Sequence, residues 1–180
     1  MPKSIPIAVI LDADVIIESF RVSAWQALIE RATVYVPSVV AYREAQFFVS
    51  KRSGTIPIKL SQYAGKGQIR IVEATVGEQQ IFLKRYGAVF LRYELHDGEK
   101  EALALLYSGR MEGVLFCSGD KAATQALTMV DMRQFGISLG ELLERIGYPK
   151  PLQRHFTREV FEESLNRGSI FRITGDSLLP

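Results

Sequence analysis

The chain has 180 residues, of which 47% are hydrophobic and 23% charged, with a formal net charge of +2; this is the composition of one soluble globular domain with room for a sizeable core. One cysteine excludes an internal disulfide and a cysteine-based zinc cage, and two histidines exclude a histidine-rich metal site. The apolar runs are too short to span a membrane and no signal-peptide pattern opens the chain, so a cytoplasmic location is expected.

Residues 6–12 are predicted as the first strand, because a continuous apolar run rich in β-branched residues reads as a buried strand of a parallel sheet. Residues 14–31 read as helical with a break near Arg21–Ser23, where Ser23 is placed to cap the second part. Val34–Val36 reads as a short strand closed by Pro37, and Ser38 as the cap of a helix running to Ser50 and carrying Glu44. Residues 53–66, with Gly54, Pro57 and Gly65, read as turns or an irregular excursion. A strand over Ile69–Val72 is followed by amphipathic helices over Thr75–Phe90 and His96–Ser108, a strand over Val114–Cys117, and a helix over Gly119–Met129 opened by Asp120. Ser138 and Glu141 have capping-box spacing before a last helix that Gly147 and Pro149 end. The alternation predicts an α/β fold, a three-layer α/β/α sandwich around a mainly parallel sheet. A domain over residues 1–147 is expected, with 148–180 as a helical appendage. In that tail Thr157 is placed to cap a helix to about Asn166 and Gly168 to end it. Val160, Phe161, Ser164 and Leu165 share one side of that helix, and with Phe156, Ile170, Phe171 and Ile173 the tail is expected to pack on the domain or on a second subunit, the latter slightly favoured.

The acids fall at particular places on this scaffold. Asp12 ends the first buried strand, where open α/β sheets bind ligands. A carboxylate there is costly to bury without a partner, and a metal ion is one such partner. Glu44 lies after the second strand, Glu99 and Glu101 open a helix, and Asp120 follows the strand Val114–Cys117. Singly, Asp120 reads as a helix N-terminal acid and Glu44 as a surface acid. Together, these segments bring carboxylates to one sheet edge, a hard-oxygen donor set suited to Mg²⁺ or Mn²⁺ and to clamping a phosphodiester. Glu99 and Glu101 are two apart on a helix and so face apart, which leaves one of them as the inner ligand. Ser118 is placed to bond a carboxylate or make a plain turn, and Lys121 to neutralise the acids or face solvent. Cys117 reads as core, and His96 and His155 as structural or exposed. Residues 51–92 hold eight basic residues against two acids. Lys51, Arg52, Lys84 and Arg85 are the densest pairs and candidate contacts for RNA, with Tyr63 and Tyr86 placed to stack on bases.

Four motifs carry a family resemblance. Ile10-Leu11-Asp12-Ala13-Asp14-Val15-Ile16-Ile17 resembles the opening of PIN domains, the nuclease fold of VapC-type toxins. Val36-Pro37-Ser38-Val39-Val40-Ala41-Tyr42-Arg43-Glu44 resembles their second motif. Asp97-Gly98-Glu99-Lys100-Glu101-Ala102 is similar to the Gly-Glu-x-Glu-Ala variant of the third. Phe116-Cys117-Ser118-Gly119-Asp120-Lys121 is similar to the fourth. The resemblance covers roughly residues 6–147 in order. It implies that Asp12, Glu44, Glu99 and Asp120 bind metal in an Mg²⁺- or Mn²⁺-dependent ribonuclease, of a kind often dimeric and often held by an antitoxin. Asp14 stands where Asn is more frequent, so its role stays open. The stretch around residues 53–68 and the tail exceed a minimal toxin of this type.

Two other readings stand beside this one. Asp12-x-Asp14 after an apolar strand also resembles haloacid-dehalogenase-type phosphatases, with Asp12 as nucleophile and Asp14 as acid/base. Against it, Val15 stands where that family has Gly, position 124 is Thr instead of an acid, and Glu44 and Glu99 have no task. The third reading is a non-catalytic RNA- or protein-binding version of the PIN-like fold.

Overall fold

The structure is a computed structural model and describes residues 6–174. β1 (Ala8–Leu11) leads into α1 (Ala13–Arg21), α2 (Trp25–Arg31) and β2 (Thr33–Pro37). A single wide helical turn, Val40–Glu44, then gives way to β3 (Phe47–Ser50), β4 (Gly54–Pro57), α3 (Leu60–Gly65) and β5 (Arg70–Val72). α4 (Val76–Tyr93) and α5 (Asp97–Tyr107) precede β6 (Val114–Cys117), and α6 (Lys121–Met129) precedes β7 (Gly136–Ile137). α7 (Leu139–Arg145) and α8 (Arg158–Thr174) follow, joined by a stretch that includes the short turn Arg154–Phe156.

Five strands form one sheet in the order β5-β2-β1-β6-β7, with every pairing parallel. β3 and β4 make a separate antiparallel hairpin. Successive side chains of a strand point to opposite faces. Thus Val9 and Leu11 enter one core with α1, α2, α3 and α7, while Ile10 enters the other with α4, α5, α6 and α8. This is the expected three-layer α/β/α sandwich. The chain leaves β1 toward β2 on one side and returns past it to β6 on the other. The carboxyl ends of β1 and β6 therefore flank the switch point where open α/β sheets form their crevice.

Capping fixes several helix starts. The Thr75 hydroxyl accepts from the Glu78 amide while Glu78 accepts from the Thr75 amide, a full capping box on α4. Ser138 caps α7 by accepting from Glu141.

Four local expectations are corrected. Ser23 does not cap α2. It adopts a left-handed φ of 57°, and Ala24 occupies the cap position with no side-chain bond. The helix expected to Ser50 stops at Glu44, because Phe47-Phe48-Val49 has strand-forming side chains and Gly54, at φ 68°, lets the chain turn back. Residues 53–66 are ordered as β4 and α3. Gly168 does not end α8, which continues to Thr174. A Cβ on Gly168 would lie 2.1 Å from Thr128 Oγ1 and 2.6 Å from the Gln125 carbonyl oxygen, so glycine there permits close crossing of α6 and α8.

The tail belongs to this domain's own cores. Phe156, Val160, Phe161 and Leu165 are buried. Phe156 packs with the α1 layer and Phe161 and Leu165 with the α6 layer, so the segment wraps the β7 edge of the sheet. These four side chains pack within the domain because the edge beside β7 leaves both cores open for them, while Ile170 and Ile173 of α8 stay exposed. Residues 175–180 lie outside the described residues.

Candidate active site

The β1–β6 ladder carries the first acid to the switch point. The Asp12 amide extends that ladder by donating to the Cys117 carbonyl at 3.1 Å. The Asp12 side chain then caps α1, accepting from the Ala13 amide at 2.7 Å. Ser118, just past β6, donates its hydroxyl to Asp12 at 2.8 Å and accepts from the Asp120 amide at 3.0 Å. Asp120 caps α6, accepting from Ala123 at 2.9 Å. One serine thus spaces two acids from neighbouring strand ends.

The other acids come from farther along the chain. Asp14, in the first turn of α1, accepts from the Gly119 amide at 3.1 Å. Glu44 ends the wide turn after β2 and accepts from the Gly98 amide at 3.1 Å. Glu99, in the first turn of α5, accepts from the His96 amide at 2.8 Å. Both glycines are steric requirements. A Cβ at Gly98 would lie 2.4 Å from Glu44 Oε2, and one at Gly119 would lie 2.6 Å from Asp14 Oδ2 and 2.3 Å from the Phe156 ring.

Asp12, Asp14, Glu44, Glu99 and Asp120 all line one cavity of about 410 Å³, together with Ile17 and His96. Burial dominates the electrostatics of Asp12, Asp14 and Glu99. It pushes the Asp12 carboxyl up to about 6; the Ser118 and Ala13 hydrogen bonds oppose the rise, and the charges of Glu44 and Asp120 add to it. Burial, and next the charge of Asp12, push Glu99 up to about 9. Asp14 is raised well above the usual carboxylate range by burial and by Asp12.

The remaining sequence-derived residues lie elsewhere. Glu101 is as buried as Glu99 but turns away from the acid cavity. It accepts from the Ser38 hydroxyl at 2.9 Å, the Val39 amide at 2.9 Å and the Ala74 amide at 3.2 Å. It also borders a larger groove of about 640 Å³ between α4 and α5. That groove is mainly apolar, and its acids Asp97 and Glu101 are bonded to Lys100 and to the Ser38–Ala74 donors. Lys121 is exposed and faces a different cleft. Lys51 and Arg52 sit at the tip of the β3–β4 hairpin, which packs with the α1 layer, while Lys84 and Arg85 lie on α4 in the other layer. Neither pair lines the acid cavity. Cys117 is fully buried in the core, and burial pushes its thiol well up. His96 is exposed, as expected, and from the cap position of α5 it also lines the cavity; its position three before Glu99 is the signal that marks it.

The donor set is all hard oxygen apart from one imidazole, which is chemistry suited to Mg²⁺ or Mn²⁺. Among the described residues, no three His, Cys, Asp or Glu side chains are gathered to hold an ion as they stand. Each acid instead accepts a hydrogen bond from a backbone amide. Among known proteins, no family model and no curated sequence matches this chain. Among the described residues no helix is long and apolar enough to cross a membrane.

Proposed function

We propose that the protein is a divalent-metal-dependent ribonuclease. The observation that carries this reading is the convergence of five carboxylates, from four separate chain segments, in one cavity at the switch point of a parallel sheet. Burial raises Asp12 to about 6 and Glu99 to about 9, so the ionised cluster is unfavourable on its own and gains from a cation.

Asp12, Glu44, Glu99 and Asp120 would hold Mg²⁺ or Mn²⁺. Bound there, the ion supplies charge neutralisation at the phosphodiester and lowers the pKa of a coordinated water. The chain's own groups set the rest. Ser118 orients Asp12 and fixes the Asp120 backbone, and the His96 and Gly98 amides hold Glu99 and Glu44 at the rim. Asp14, held by Gly119, adds negative charge beside Asp12 without taking its place at the strand end. The phosphatase reading assigns nothing to Glu44 and Glu99, which share the cavity. A homodimer, an antitoxin partner and a cytoplasmic location belong to the same proposal, and the exposed apolar side chains Val76, Ile81, Leu83 and Leu91 of α4 offer a surface for a protein partner.

The test is RNA cleavage with Mn²⁺ or Mg²⁺, paired with calorimetric titration of Mn²⁺. Cleavage is expected to vanish with EDTA and to fall at least about a hundredfold in Asp12→Asn and Asp120→Asn, as for loss of a key electrostatic group. Absence of both Mn²⁺ binding and cleavage in the wild-type protein overturns the reading. Phosphate-ester hydrolysis that depends on Asp14 but not on Glu44 or Glu99 replaces it with the phosphatase.

A further inference from the structure

A second cleft adjoins the acid cavity on the side of the tail. It measures about 270 Å³ and is lined by Lys121, Arg154, His155, Val160 and Glu163. It continues between α6 and α8 toward Arg167. Its lining carries more positive than negative charge. Arg158 and Arg172 on the same tail are paired with Glu141 and Asp131. Lys121, Arg154 and Arg167 have no ion-pair partner among the described residues. Glu163, itself exposed, is the one carboxylate in the lining.

The cleft is tied to the acid cavity through residues 119–121. Lys121 directly follows Asp120. Asp14, which lines the acid cavity, and Phe156, which follows His155 of the cleft, meet over the same face of Gly119. A cavity lined by five carboxylates repels a polyanion, so a strand that reaches it needs positive charge close by. The Lys51–Arg52 and Lys84–Arg85 pairs do not line that cavity. Lys121 directly follows Asp120 of its lining and shares the second cleft with Arg154.

We propose that Lys121, Arg154 and His155 form a phosphate-binding site for a phosphodiester flanking the bond cut in the acid cavity. The tail, beyond the span of the sequence resemblance, thereby becomes part of the substrate-binding surface. This rests on the ribonuclease reading for the identity of the strand.

The experiment uses the full chain in EDTA, so that RNA is bound but not cut. A short fluorescein-labelled single-stranded RNA is titrated by anisotropy over a salt series. Lys121→Ala/Arg154→Ala is expected to weaken binding about tenfold and to reduce the salt slope by about 0.7 to 1.4, the share of one or two phosphate contacts on a single strand. Lys121→Arg/Arg154→Lys should keep both. Unchanged affinity and slope in the alanine variant overturns the site. In a second arm inorganic phosphate is titrated and followed by the amide resonances of residues 119–122 and 154–156. Shifts present in the wild type and lost in the alanine variant support the site, and their absence in the wild type overturns it. If phosphate moves these amides but the wild-type protein neither binds Mn²⁺ nor cleaves RNA with it, the ribonuclease reading fails and the strand assignment falls with it. The phosphate site itself then remains.

Discussion

The acid cavity and the Glu101 clamp grow from the same turn of α5. Glu99 and Glu101 are each only 3% exposed, yet their surroundings are opposite. Glu101 is met by donors, three of them, from the Ser38 hydroxyl, the Val39 amide and the Ala74 amide. Glu99 is met by one amide and otherwise by the charges of Asp12, Asp120 and Asp14. A buried carboxylate surrounded by donors joins chain segments, here the ends of β2 and β5. One surrounded by carboxylates is a poor fastener and a good place for a cation.

Removing the clamp is the sharpest way to break this contrast. Glu101→Ala leaves three donors without an acceptor and should cost about 2–4 kcal/mol in urea unfolding. A loss below about 1 kcal/mol would mean that Glu101 is not structural. The same measurement on Glu99→Gln should move the other way. The folded-state pKa of Glu99, about 9, lies above its ordinary 4.5, so between those values the folded protein binds the extra proton. Metal-free stability therefore falls as pH rises through that window, and Asp12 adds to the fall between 3.8 and about 6. Glu99→Gln has no charge to desolvate, so at pH 8 without metal it should be more stable than wild type by about 1–3 kcal/mol, with the difference shrinking toward pH 4. Equal pH profiles for the two proteins would break the contrast.

Gly98→Ala sharpens the comparison at its boundary. Alanine in place of a helical glycine normally gains up to about 1 kcal/mol. Here its Cβ would meet Glu44 Oε2 at 2.4 Å and Val40 Cγ2 at 2.5 Å. The clash should reverse the sign to a net cost of about 1 kcal/mol and weaken Mn²⁺ binding about tenfold, read by calorimetry. The smallest effect is expected from Ser118→Ala, about 1 kcal/mol or less. Its informative readout is the Asp12 carboxyl resonance. Without the serine hydrogen bond, its midpoint should climb above the wild-type value of about 6.

Legibility in the sequence followed physical scale. The buried strands β1, β2 and β6 are readable from their apolar runs, α4 from its amphipathic pattern and α7 from the cap at Ser138, because these signals are local. The positions of the acids followed from the order of strands, since every parallel strand ends on the same edge. Less legible were features decided by tertiary contact. Ser38 looked like a helix cap, but its hydroxyl is spent on Glu101, 63 residues away in sequence. Gly168 looked like a helix end, but the approach of α6 explains it. β7 is two residues long and has no periodicity to detect. Assigning Glu99 to the cavity and Glu101 to the clamp required knowing where Val39 and Ala74 lie, and no spacing along α5 supplies that.

The burial of Cys117 has a practical consequence for experiments on this protein. It is the only cysteine in the chain, it is fully enclosed, and its thiol is held in the unreactive protonated form. A thiol introduced at an exposed position such as Lys51 or Arg154 would be the single reactive one. Maleimide dyes would then mark one chosen point on the native protein, and distances from the hairpin tip or the tail to a labelled ligand become measurable without first deleting a core side chain.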